Sequence, residues 1–172
     1  MKIRLIAFAL ILLCTLTVVQ IVGTEGKAGV MASQLLFLAK MSGDQVVPPT
    51  DSSARGAAQF QMVADDEIQY RVKVAGIKNM DGASLHLGSR GSNGDLAVQL
   101  ARFTPPDVGD NKSTQDVSFV GSISSSDLQV RGTVQDLYHA MAAGNAYISI
   151  STEQNPGGEI RGQLKSSIGI DG

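Results

Sequence analysis

The stretch "ASLHLGSRGSNG" (83–94) carries the densest chemical signal in the chain, a histidine at the end of an apolar alternation followed by glycines at 88, 91 and 94. An imidazole beside a glycine-rich loop has the residue types of a metal ligand or an acid–base group. The competing reading is a strand histidine bonded to a neighbouring backbone group. A zinc or copper site takes three or four side-chain ligands. The chain has two histidines, and the other, His139, lies on a helical segment. That count favours a structural His86. The glycine spacing G-x-x-G-x-x-G follows a strand but opens no helix, so it fails the context of a dinucleotide loop.

A second candidate is "EQNPGGEIRGQL" (153–164), which places Glu159 and Arg161 behind a turn made of Asn155, Pro156, Gly157 and Gly158. The turn chemistry is complete without a ligand. The structural reading is a tight hairpin with Arg161 bonded to loop carbonyls or acids. Asp44, Asp65, Asp66, Glu67, Asp107, Asp110, Glu153 and Glu159 could supply calcium oxygens, but none sits in a D-x-[DN]-x-[DN]-G loop. "DVGDN" (107–111) is the best local match, and a weak one. There is no G-x-S-x-G elbow. Cys14, the single cysteine, lies in the apolar N-terminal run.

These residues need a scaffold, and the pattern supplies one. The chain has 172 residues, enough for one domain with a real core. With few aromatics and no Trp, that core must be aliphatic. A net charge of −2 without a basic cluster argues against nucleic acid as a partner. Lys2 and Arg4 precede an uncharged run over 5–23, followed by small residues at Gly23, Gly26 and Ala28. This reads as a signal peptide or an uncleaved membrane anchor, with the bulk of the chain outside. Leu13 before Cys14 is not the small residue a lipidation signal needs. Residues 24–33 read as a linker, 34–166 as the domain and 167–172 as a tail. A domain without cysteine must be held by packing and backbone pairing.

Within that domain "EIQYRVKV" alternates Ile68, Tyr70, Val72 and Val74 against Glu67, Gln69, Arg71 and Lys73, the period of a sheet with one wet face. "QLLFLAKM", "AAQFQMV", "ASLHLG", "LAVQLARF", "VSFVGSI", "AYISIST" and "EIRGQL" bring the count to about eight strands. Thr133 with Asp136 three residues on predicts a helix over about 134–143, stopped by Gly144. The expected fold is an all-β antiparallel Greek-key sandwich or barrel with one short helix.

Four ordered motifs, "SGDQVVPP", "ASLHLGSRGSNGDLAVQL", "DLYHAMAAGNAYISIST" and "NPGGEIRGQL", resemble those of the chordin-type (CHRD) domain, over roughly 37–165. The resemblance implies an extracellular Greek-key sandwich and no known activity. In animal chordin the family occurs inside a secreted antagonist of growth-factor signalling, and in microbes its role is largely undefined. Relatives carry histidines where this chain has Ser84, Ser151 and Asn155. If those histidines form a metal or proton site, it is stripped here. The histidine-x-histidine centre of relatives is similar to that of copper–zinc superoxide dismutase, whose two metals need far more imidazoles than this chain holds.

The expectation is an exported, non-enzymatic module without cofactor or metal. It binds or builds at the outer cell surface, or serves as an accessory subunit of a membrane-associated assembly. Its partner is an unidentified protein or surface, with membrane contact through residues 5–23. The runner-up is a small metal-binding or redox-related β-barrel. His86, Gly88, Gly94, Gly157, Gly158, Glu159 and Arg161 read as structural. Partner contact is assigned to loops at one end of the sandwich, with Arg90, Asn93 and Asn155 as its polar groups.

Overall fold

The computed structural model describes residues 35–103 and 114–167. The predicted leader and linker, and "DVGDN", lie outside the described residues. Among the described residues no helix is long and apolar enough to cross a membrane.

Two antiparallel sheets enclose the core. The first holds β1 (Leu36–Met41), β2 (Arg55–Ala64), β3 (Glu67–Ile77), β6 (Gln115–Ile123) and β9 (Lys165–Ser166), in the order β6-β3-β2-β1-β9. The second holds β4 (Met80–Leu87), β5 (Leu96–Arg102), β7 (Ala146–Thr152) and β8 (Ile160–Gln163), in the order β5-β4-β7-β8. The alternation read in β3 is the one observed: Ile68, Tyr70, Val72 and Val74 are buried, and Gln69, Arg71 and Lys73 are exposed. Each strand turns its aliphatic set inward, so the two sheets share one core of residues such as Phe60, Val72, Leu85, Ile148 and Ile160. The Tyr70 hydroxyl crosses that core and donates to the Leu100 carbonyl at 2.7 Å, which satisfies a buried phenol.

Two elements differ from the sequence reading. A ninth strand, two residues long, continues from β8 and pairs with β1. β4 begins at Met80, so Gly82 lies within the strand, paired with Arg102 and Ser151, rather than bounding it. A strand of uneven pattern with a glycine inside hides its own start.

Helix α1 (Val134–Ala142) has the capping box that Thr133 and Asp136 announce, and Gly144 follows it at φ 70. It buries Val134, Leu137 and Met141, and Tyr138 meets Phe37 edge-on at 5.4 Å. At the β1–β8 margin Ser42 and Arg161 exchange two backbone hydrogen bonds of 3.1 Å, which tie one sheet to the other. Next to this bridge a Cβ on Gly162 would stand 2.7 Å from the Lys40 carbonyl oxygen, so the approach requires glycine.

Candidate functional site

The outer face of the four-stranded sheet is polar, and its register aligns the residues in rows. His86, Tyr147 and Gln163 face one another across β4, β7 and β8. Ser84, Ser149 and Arg161 form the next row. Directly opposed residues in a ladder share a face, so strand pairing alone groups these side chains.

The loop 88–95 folds back over the first row. Arg161 lies beneath it, 3% exposed. Its Nη2 donates to the carbonyls of Ser89 at 3.1 Å and Ser92 at 2.9 Å, and its Nη1 donates to Asn93 Oδ1 at 3.4 Å. Gln163 Oε1 lies 3.5 Å from Nη2. All four partners are amide oxygens and none is a carboxylate. The guanidinium also caps the Tyr147 ring, 3.4 Å from its centroid. Burial lowers its pKa from the ordinary value, and the Tyr147 hydroxyl acts against that shift.

His86 also stacks on the Tyr147 ring, with centroids 5.1 Å apart and planes 9° from parallel. Its Nδ1 is 3.1 Å from the Gly94 carbonyl oxygen, which only accepts, so Nδ1 carries the hydrogen. Nε2 is then the acceptor in a neutral ring, and Ser84 Oγ donates to it at 2.9 Å. Burial pushes the imidazole below its ordinary pKa; the Gly94 bond opposes this and the Arg161 charge adds to it. The Gly94 N–H donates to the Tyr147 hydroxyl at 3.1 Å. A Cβ on Gly94 would fall 1.5 Å from the Leu87 carbonyl oxygen, so the loop crosses the strand end only with glycine there. Gln163 Nε2 reaches the carbonyls of Gly88, Gly144 and Ala146 at 2.9, 2.7 and 3.0 Å.

Glu159 belongs to a different cluster, the β7–β8 turn. Its carboxylate accepts from Thr152 Oγ1 at 3.1 Å and from Asn155 Nδ2. Burial would raise its pKa, but hydrogen bonds from Ser52, Asn155 and Thr152 outweigh that and lower it. Gly158 completes the turn at φ 128, and Gly157 is open on its outer side.

The three residues assigned to partner contact do not form one cluster. The loop 88–95 leaves β4 at its Leu87 end, while the turn holding Asn155 adjoins its Met80 end. Asn93 Nδ2 donates to the Val47 carbonyl at 2.8 Å, so its amide joins two loops. Asn155 holds Glu159. Arg90 is exposed and lines a cleft with Asp44, Gln45 and Val47. Sequence reasoning missed Tyr147 and Gln163, the centre and the anchor of the buried row. It also missed Asp81, Gln99 and Ser149, which line the uncovered part of this sheet face with Ser84 and Ser151. Their signal was present in the register, since each opposes or neighbours a residue already singled out.

Among the described residues no group of three or more His, Cys, Asp or Glu side chains could hold a metal ion.

The CHRD domain matches residues 37–164. Chordin of Xenopus laevis is 27% identical over 128 residues, covering 72% of this chain and 12% of that protein. No solved structure matches the chain. The matched segment takes in both sheets, from Phe37 in β1 to Leu164 just past β8, and the chain belongs to the CHRD domain family.

Proposed function

We propose that the chain is an exported, non-enzymatic module that binds or builds at the outer cell surface, or serves as an accessory subunit of a membrane-associated assembly. The observation that carries this reading is the use made of the reactive side chains. Arg161, His86 and Glu159 spend their polar atoms on loop carbonyls, a neighbouring hydroxyl and a turn amide. Ser84 and His86 have the spacing of a nucleophile and a base. An acyl-transfer site would also need N–H donors converging on an oxyanion. β4 is an interior strand that pairs with β5 on one side and β7 on the other, which draws its backbone into ladders. Export is supported by Lys2 and Arg4 ahead of the uncharged run.

Partner contact is proposed at the loop surface around Arg90, where Asn93 joins two loops, with Asn155 shaping the turn at the other end of the sheet. The test has two arms. Fractionation and intact mass of the native protein should place it outside the cytoplasmic membrane, with residues 5–23 either removed or retained as an anchor. Capture from native membranes should recover a partner from the intact chain and lose it with Arg90→Glu. A full-length cytoplasmic protein would overturn the export reading.

A further inference from the structure

The loop 88–95 covers the polar sheet face only in part. The uncovered part is an open cleft of about 470 Å³, within the usual range for small-molecule sites, ~300–1,000 Å³. Its floor is the row Ser84–Ser149 with Ser151 beside it, β5 supplies one wall through Gln99, and the β7–β8 turn supplies the other through Pro156 and Gly157.

Ser149 is 8% exposed, and among the described residues its hydroxyl makes no hydrogen bond and borders the cleft. A hydroxyl that makes no bond within the protein and opens on the floor of a cleft is free to bond a ligand atom, as donor or acceptor. The neighbouring groups are acceptors. Gln99 Nε2 is committed to the carbonyls of Ala83 at 3.0 Å and Ala101 at 2.8 Å, which leaves Oε1 to accept. Ser84 gives its hydrogen to His86, and Ser151 gives its hydrogen to Asp81, so both hydroxyl oxygens keep lone pairs for the cleft. The ligand must therefore donate several hydrogen bonds. Asp81 and Arg102 both line the cleft, so its formal charge is balanced and gives no preference to a cation or an anion. Leu96, Phe103 and Pro156 add apolar edges against which C–H groups can pack.

We propose that this cleft binds a neutral, hydroxyl-rich ligand, a sugar residue, free or in a surface glycan. A pyranose offers many O–H donors, no charge and apolar C–H patches. The inference deepens the binding reading above, and rests on it, by giving it a ligand class.

The experiment titrates the full-length chain, purified in a polyoxyethylene detergent without a sugar headgroup. The probes are glucose, mannose, galactose, xylose and N-acetylglucosamine, each as monosaccharide and as linear tetramer, with heparin as a polyanion control. At least one neutral sugar should bind. A monosaccharide that binds as well as its tetramer identifies a free sugar, and tetramer preference identifies a glycan chain. Ser149→Ala removes only the open hydroxyl and should weaken binding by about tenfold, the size of one hydrogen bond. A Cβ on Gly157 meets nothing within 4 Å, so Gly157→Leu fills the cleft from its rim without strain and should abolish binding at unchanged Tm. Arg90→Glu should leave sugar binding intact. If no neutral sugar binds, if heparin alone binds, or if Gly157→Leu binds like the parent, the inference is overturned. Arg90-dependent partner capture would survive that outcome, so the two readings fail separately.

Discussion

Arg161 is a buried cation held without an acid. Desolvating a charge is expensive, and amide dipoles offset it only when several converge on it. Here two carbonyls, two side-chain amides and an aromatic face do so. Arg161→Met should therefore cost about 2–4 kcal/mol in urea denaturation, because it strands the Ser89 and Ser92 carbonyls as well as losing charged hydrogen bonds. His86 and Glu159 give stability a pH dependence with a defined sign. Burial keeps native His86 neutral below its ordinary value of 6.5, whereas the unfolded chain takes up a proton there. The unfolded state binds more protons, so stability is full above 6.5 and falls as pH drops through it. Glu159 is lowered from 4.5, so its contribution is present above 4.5 and is lost as pH falls through the native value. Tm measured against pH should show both losses. His86→Gln should remove the upper one, and Glu159→Gln should reduce the lower, to which the lowered Asp44, Asp127 and Asp136 also contribute.

At the scale of the element, helix α1 and strand β3 were legible because local chemistry decides them. A capping box names its own N-terminus, and a period of two names a half-wet strand. Thr133→Ala should cost about 1 kcal/mol, read as a shift of the urea midpoint at constant slope. The loop 88–95 was not legible as a cover for the sheet face. Its direction depends on Gly94 passing the Leu87 carbonyl and on Arg161 reaching the carbonyls of Ser89 and Ser92, 72 and 69 positions away in sequence. A glycine spacing shows that the backbone comes close to something, not what it comes close to. Gly94→Ala should destabilise by about 3 kcal/mol, since the atoms it would meet are backbone and cannot move aside cheaply.

At the scale of the molecule, the sandwich followed from strand spacing and from four motifs in order. The candidate site followed only in part. His86 and Arg161 stood out as residue types, but Ser149 and Gln99 are unremarkable in sequence. They gain meaning only when β5, β4 and β7 lie side by side. Common polar residues become a site through register, which a single sequence does not display. Metal-free folding is a further prediction for the whole chain. The described residues offer no donor cluster, and packing with loop hydrogen bonds accounts for the buried polar groups on the covered face. EDTA should leave Tm unchanged within about 1 °C, an interval well below the several degrees that ~1 kcal/mol of lost stability would produce. A larger drop would reveal a bound ion.

The position of Tyr147 has a spectroscopic consequence. The chain has three tyrosines and no tryptophan, so every aromatic optical signal above the phenylalanine range comes from Tyr70, Tyr138 or Tyr147. Of the three, Tyr147 alone contacts both a stacked imidazole and a guanidinium over its ring. Its ring current shields protons stacked over its face, so the Arg161 side-chain resonances should appear upfield of every other arginine in a proton spectrum. Their return to ordinary positions, while strand amides stay protected from exchange, would time the opening of the loop separately from unfolding of the sheets.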